Sequence, residues 1–283
     1  MSNVGIVCDS TCDLGPEWLA EHDVPMVPLK VLFGDTSYLD WIDLAPHEFY
    51  EMLAAAPVLP KTSQPSPADF EAVYDRLAGQ GCMAIVTVTL SAALSGTFES
   101  ATLAAVSSPI PVCVVDSRNV SLGAGLVVKA AVAARDAGGD ADAVEAAARQ
   151  AAADVHLYFV LETMEYLVKG GRAGKAQAAA ASLLNIKPVL HIDADGVIES
   201  YKRARGMRNA IDEIAAKVAE DSRRTEMCVS LLIGERQDLV DMMHAALKAS
   251  GARYHVESVG MVGAVIGTYS GRDVIGVAYH PAR

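Results

Sequence analysis

Short runs rich in Val and Ile alternate with segments of helical periodicity from one end of the chain to the other. This alternation restricts the chain to an α/β architecture with a largely parallel sheet. In the first half VGIVCDS, MVPLKVLFG, MAIVTVTLS and IPVCVVDS read as strands, with MVPLKVLFG taken as one continuous strand. Between them lie the helical segments LGPEWLAEH, expected to be capped by Asp13, then SPADFEAVYDRLAGQG and GTFESATLAAV, with a further helix starting near Ser121. Ser66, Pro67 and Asp69 have the spacing of an N-cap, a first helical position and a capping box.

Composition shifts at DAGGDADAVEAAARQAAADV, a Gly/Asp break followed by an alanine-rich helix. The domain boundary is expected at its end, near Asp154, giving one α/β domain over residues 1–154 and a second over 155–283. A chain of 283 residues is long enough for two such cores. The second half begins again with strand VHLYFVLE, helix TMEYLVK and turn GGRAG, followed by a helix through the alanine-rich stretch that includes AAAASLL. Asp195-Gly196 reads as a hairpin turn between two strands, which makes the C-terminal sheet mixed. Strand MCVSLLIGE, helix QDLVDMMHAALKASG, strand RYHVESV, a short helix and strand VIGVAYH complete the pattern.

The net charge of −12 argues against a nucleic-acid partner. The five cysteines, Cys8, Cys12, Cys82, Cys113 and Cys228, are odd in number and sit in apolar runs, as reduced thiols do. Cys8 and Cys12 lack a second pair or a His partner at zinc-site spacing, and the seven histidines show no metal spacing, so no metal is expected. No apolar stretch reaches the length of a membrane span and no signal-peptide pattern opens the chain, so a cytoplasmic protein is expected, with at most transient membrane contact.

Ligands of open parallel sheets bind beyond the carboxyl ends of the strands. Those positions carry Asp9-Ser10-Thr11, Thr62-Ser63-Gln64, Ser91 with Ser95-Gly96-Thr97, and Asp116-Ser117. Hydroxyl-bearing loops next to helix starts suit a small anion, carboxylate or phosphate, held without a full counter-charge. GGRAGKAQ lacks the Walker spacing, and no G-x-G-x-x-G follows the first strand. Ser95 lies in A-L-S-G-T rather than G-x-S-x-G, which gives no nucleophile elbow. A Ser-His pair formed in space keeps a serine-dependent acyl-ester hydrolase using Ser95 as an alternative, and a phosphate-ligand module is a third reading. Arg172 sits in a glycine-rich helix terminus, and GMVGAVIGTYSGRD, with Gly267, Thr268 and Tyr269, reads as close packing or a channel wall.

Together these stretches resemble the DegV family of bacterial fatty-acid-binding proteins. The resemblance rests on DSTCDL (9–14), KTSQPSP (61–67), LSGTFESA (94–101), VVDS (114–117), EYLVKGGRAGKA (165–176), LLNIKPVL (183–190) and GAVIGTYSG (263–271), in order over nearly the whole chain. It implies two α/β domains enclosing a long-chain fatty acid, no cofactor and no catalysis by the chain itself. It further implies that Thr62, Ser63 and Ser95, with Thr97 beside them, meet the carboxylate. Asp9, Ser10, Asp116, Ser117, Arg172, Gly267 and Thr268 are then pocket or rim residues. In such systems a separate fatty acid kinase subunit converts the presented acid to an acyl phosphate for phospholipid synthesis. The family motif commonly carries a histidine where this chain has Tyr269, and a Pro-Gly where it has Arg272-Asp273. Tyr269 is expected to replace the histidine as a headgroup donor, and Arg272 to pair with Asp273. The resemblance also implies that the basic segment YKRARGMRNA, with Lys202, Arg203, Arg205 and Arg208, docks the kinase.

Overall fold

The computed structural model describes residues 3–179 and 185–282, with only the backbone at Ala179. Its first-half strands are β1 (Val4–Asp9), β2 (Met26–Val27), β3 (Lys30–Phe33), β4 (Thr36–Leu39), β5 (Lys61–Ser63), β6 (Ala84–Thr89) and β7 (Val112–Asp116). The second half supplies β8 (His156–Val160), β9 (Ile186–Ile192), β10 (Ile198–Arg205), β11 (Met227–Ile233), β12 (Tyr254–Met261) and β13 (Ile275–Pro281). Helices are α1 (Pro16–Glu21), α2 (Pro46–Ala55), α3 (Pro67–Gly79), α4 (Thr97–Ser107) and α5 (Leu122–Asp136). They continue with α6 (Ala141–Asp154), α7 (Glu165–Lys169), α8 (Gly206–Asp221), α9 (Gln237–Ala249) and α10 (Ala264–Ser270).

The order β2-β1-β6-β7 forms a parallel sheet. β1 is buried along its whole length, as expected of a parallel strand covered on both faces. The order β10-β9-β8-β13-β11-β12 forms a mixed sheet, antiparallel except at β11–β12. Asp195-Gly196 turns the β9–β10 hairpin, with Gly196 at φ 78°. The expected α/β class with one parallel and one mixed sheet is therefore observed.

MVPLKVLFG is not one strand. Pro28 carries no N–H for a ladder, and the chain changes sheets across it. Met26–Val27 stays beside β1, while β3 leaves to form a three-stranded antiparallel sheet, β4-β3-β5. Gly34-Asp35 makes the two-residue β3–β4 turn, Gly34 taking φ 60°. Asp13 does not cap α1, whose N-cap is Gly15; it sits buried in the left-handed conformation at φ 51°. The Ser66 capping box forms as expected, Ser66 Oγ accepting from the Asp69 N–H and the Asp69 carboxylate accepting from the Ser66 N–H. The helix expected through AAAASLL lies, beyond Ala179, outside the described residues, as do Leu183 and Leu184 of LLNIKPVL; the stretch leading in, Gly174–Ala179, is a 3-10 helix.

The largest apolar core joins both halves: β1, β6, α5 and α6 pack with Leu157 and Phe159 of β8, Leu232 and Ala278. Along β8 the alternate residues Tyr158 and Val160 face a second core, under α8 and α9. A smaller core joins α2 and the three-stranded sheet to Ala264 and Val265 of α10. The C-terminal α10 is thereby seated on first-half elements. Among the described residues, no helix is long and apolar enough to cross a membrane.

Candidate functional site

A narrow cavity, partly open to solvent, lies between the carboxyl end of the parallel sheet and the inner face of the mixed sheet. Most of its wall is aliphatic or aromatic: Leu90, Leu94, Val120, Leu157, Phe159, Leu161, Ile198, Leu232, Val265 and Ile266 all face it. Its polar lining is Thr62, Ser95, Ser121, Arg172, Tyr269 and Ser270.

Tyr269 meets both Thr62 and Arg172, and Ser95 lines the same cavity. β5 pairs with β3 through Thr62–Val31, and strand alternation turns Thr62 inward while Lys61 and Ser63 stay exposed. The Thr62 Oγ1 and Tyr269 hydroxyl lie 2.5 Å apart. The Arg172 guanidinium stands 5.1 Å from the centre of the Tyr269 ring, and its Nε donates to the Leu94 carbonyl at 3.3 Å, beside Ser95. Ser95 Oγ lies 2.9 Å from Thr97 Oγ1 at the start of α4, where Gly96, not Ser95, is the N-cap. Gln64 ties this end together, its Nε2 donating to the Gly96 carbonyl and to Ser100 Oγ at 3.2 and 3.1 Å. A Cβ on Gly96 would come within 2.4 Å of Gln64 Oε1, so a side chain there would displace the Gln64 amide from this seat.

α10, which carries Tyr269, is held at its start by two buried carboxyls. Asp13 Oδ1 accepts from the Gly263 N–H at 3.0 Å and from Trp41 Nε1 at 3.2 Å, while Ser121 Oγ donates to its Oδ2 at 2.5 Å. Asp40 Oδ1 accepts from the Ala264 N–H at 2.9 Å, and Ser10 Oγ donates to its Oδ2 at 2.7 Å. Burial disfavours the charged form, so the Asp13 carboxyl is pushed up to about 8 and that of Asp40 to about 7, against the hydrogen bonds that lower them. Gly263 packs on Trp41 and Gly267 on Phe49, so the glycine-punctuated stretch serves close packing on one side and a cavity wall on the other.

Thr62, Ser95, Arg172 and Tyr269 thus share one cavity. Ser63 is exposed, its hydroxyl turned to the Gln64 carbonyl. Thr97 is buried behind Ser95. Asp9 and Ser10 serve the fold: Asp9 accepts from the Leu90 and Thr11 N–H groups, and Ser10 Oγ accepts from the Leu29 N–H as well as donating to Asp40. Asp116 accepts from the Ala92 and Arg118 N–H groups, Ser117 Oγ donates to the Asn119 carbonyl, and Thr268 Oγ1 to the Ala264 carbonyl. The expected Arg272–Asp273 pair does not form; Arg272 pairs with Glu235, which projects toward it from the end of the neighbouring strand β11. Sequence reasoning missed Ser121 as a lining residue and Asp13 and Asp40 as the anchors of α10, while Ser270 belongs to the stretch read as close packing or a channel wall. Ser121 was legible only as a helix start, and nothing local marks Asp40.

The chain is matched over residues 3–282 by the profile of a family described as uncharacterised DegV proteins. It is similar to a solved DegV family protein from Thermus thermophilus described by its fatty acid binding, with 34% identity, a TM-score of 0.92 and 99% of each chain covered. A stearic acid-binding protein from Eubacterium ventriosum is 28% identical with a TM-score of 0.88, covering 99% of this chain and 98% of that one. A curated fatty acid-binding protein of Thermotoga maritima is 33% identical over 288 residues, 96% of each chain.

Proposed function

The chain belongs to the DegV family, and on that premise we propose that it binds one long-chain fatty acid in the cavity and presents it to a separate kinase subunit. The carboxylate is held by Thr62, Ser95 and Tyr269, with Arg172 adding a cation behind the Tyr269 ring. The observation that carries the reading is an apolar cavity in which hydroxyls from β5, the α4 start and α10 gather near one guanidinium. A carboxylate in apolar surroundings stays ionised only when donors replace its water. Arg172 departs from the expectation of hydroxyls alone and strengthens the case for an anion. The tail provides most of the affinity: about fourteen methylenes at ~0.8 kcal/mol each give on the order of 11 kcal/mol gross, part of which ordering and immobilisation offset.

A serine hydrolase reading finds no support at Ser95. Its hydroxyl neighbour is Thr97, and no histidine is among the described residues that line the cavity. The kinase part of the proposal draws on the family resemblance and on exposed Arg203, Arg205 and Arg208 in an otherwise acidic chain.

Mass spectrometry of material extracted from natively purified protein tests the reading. A free long-chain fatty acid, at up to one per chain, is expected. No extracted acid together with no binding of added oleate, or covalent labelling of Ser95 by serine-reactive probes, would overturn it.

A further inference from the structure

Away from the cavity, three neighbouring strands of the mixed sheet bring Cys228, Glu257 and His280 together. Cys228 on β11 stands directly opposite His280 on antiparallel β13. On the other side β12 slips register: Val229 pairs with Val256, but Ser230 pairs with Ser258. Glu257 is the extra residue, the insertion of a β-bulge, and bulges re-aim the side chain they insert. Here Glu257 meets Cys228, whose Sγ donates to its Oε2 at 2.8 Å. One ligand-type atom from each of Cys228, Glu257 and His280 lies within 4.8 Å of the others.

Burial and the Glu257 carboxylate push the Cys228 thiol up to about 12, so its proton has to be displaced by the ion, whereas His280 and Glu257 are set up as ligands. His280 Nδ1 lies 2.9 Å from the Pro281 carbonyl. A carbonyl only accepts, so Nδ1 carries the proton and Nε2 keeps its lone pair, the arrangement that second-shell bonds impose on metal-binding histidines. Glu257 Oε1 is already paired with a cation, the Lys129 ammonium at 2.6 Å. Lys129 also lies 5.8 Å from the centre of the Trp18 ring, which offers it a second seat. Glu257, His280 and Lys129 open onto a groove walled by alanines of α5 and α6, such as Ala130 and Ala151, so an ion has a path in from solvent.

We infer that Cys228, Glu257 and His280 form a site for a borderline-soft divalent cation of the zinc type. One thiolate sulfur, one carboxylate oxygen and one imidazole nitrogen make a zinc-type donor set, with the fourth position facing the groove. On binding, the Cys228 S–H bond breaks, an S–metal bond forms, and the proton leaves to solvent. The Lys129 ammonium gives up Glu257 to the ion. None of the three ligands lines the fatty-acid cavity, so the site stands apart from the proposed lipid function. Ligands drawn from three separate strands leave no spacing motif, which is why the sequence pointed away from metal.

The test titrates the full chain with zinc and with cobalt(II). The expected result is one ion per chain and, with cobalt, a thiolate charge-transfer band in the near ultraviolet. Cys228→Ser should abolish the band, and His280→Ala should weaken zinc binding at least about tenfold, as loss of even an outer partner does. Lys129→Met should tighten zinc binding severalfold, because it removes a competing charge a few ångströms away. The Cys8–Cys12 pair, with sulfurs 3.7 Å apart, is the rival thiol site, so Cys12→Ser serves as the control and should change nothing. A band lost in Cys12→Ser but kept in Cys228→Ser overturns the assignment. So does zinc binding that Lys129→Met leaves unchanged, which keeps the test decisive even where Cys228→Ser fails to fold.

Discussion

Thr62 and Tyr269 meet hydroxyl to hydroxyl at 2.5 Å, across a gap between β5 and α10 that spans most of the sequence. An arriving carboxylate gives each hydroxyl an acceptor to turn toward, with Ser95 as the third donor. Hydrogen bonds to a charged group are worth more than neutral ones. Ser95→Ala and Thr62→Ala are each expected to weaken fatty-acid binding by about 1–3 kcal/mol, measured by displacement of a fluorescent acid. Affinity unchanged in both variants would remove the headgroup assignment. Tyrosine hydroxyls stay protonated near neutrality while imidazoles titrate there. Tyr269→His should therefore bind fatty acid more tightly as pH falls through about 6, Arg172 nearby keeping the imidazolium from forming earlier. The comparison is the difference between variant and parent across the pH range. A difference that does not move with pH would show that residue 269 does not face the headgroup.

At the scale of elements, α10 is where first-half and second-half chemistry meet, and its start rests on Asp13 and Asp40. Each carboxyl accepts from a backbone N–H at one oxygen and from a serine hydroxyl at the other, bonds that favour the charged form but are outweighed by burial. Their folded values, about 8 and about 7, lie above the unfolded one of roughly 4. The folded state therefore holds protons that the unfolded chain has lost. Stability should fall as pH rises from about 4 through neutrality, and level off above about 8. Asn keeps the oxygen that accepts the N–H groups and tolerates the left-handed conformation of residue 13. Asp13→Asn should keep the fold and flatten this slope, whereas Asp13→Ala should cost about 1–3 kcal/mol by stranding the Gly263 N–H. Urea unfolding at acidic and alkaline pH checks both, and a slope unaltered in Asp13→Asn and Asp40→Asn would refute the argument. These anchors also mark what a sequence reveals. The capping box at Ser66 and the turn at Asp195-Gly196 are local chemistry and were legible. So were Thr62, Ser95 and Arg172 as members of polar or glycine-rich loops beyond strands and helices. The sheet change at Pro28 was not, because β3 is defined by partners in β4 and β5 rather than by its own residues. Asp13 read as a cap for the next helix, although its partner Gly263 lies 250 positions away. Ser63 read as an equal of Thr62 until pairing with β3 fixed which of the two faces inward.

For the whole molecule, the proposed presentation of the acid to a kinase requires a surface that a second protein can engage. β10 is an edge strand of the mixed sheet, and Ile198 at its start lines the cavity. Further along, Ala204 is buried toward the core under α8, while Arg203 and Arg205 are exposed on the alternate positions. Lys202 is committed elsewhere, its Nζ 2.7 Å from Glu213 on α8. Among the described residues Arg203, Arg205 and Arg208 make no ion pair, so their charge is available at the surface of a chain with net charge −12. Charges on an edge strand also discourage unwanted sheet pairing, and that role alone would account for two arginines. A docking role makes a further demand: rim charges act chiefly on association rate and are sensitive to salt. Replacing Arg203 and Arg205 together by Ala should leave fatty-acid binding intact and lower acyl phosphate formation with the cognate kinase at limiting kinase. The deficit should shrink as kinase concentration rises and should narrow in high salt, where the parent protein loses the same steering. Equal rates for parent and double variant at limiting kinase and low salt would leave the two arginines with the edge-protecting role alone.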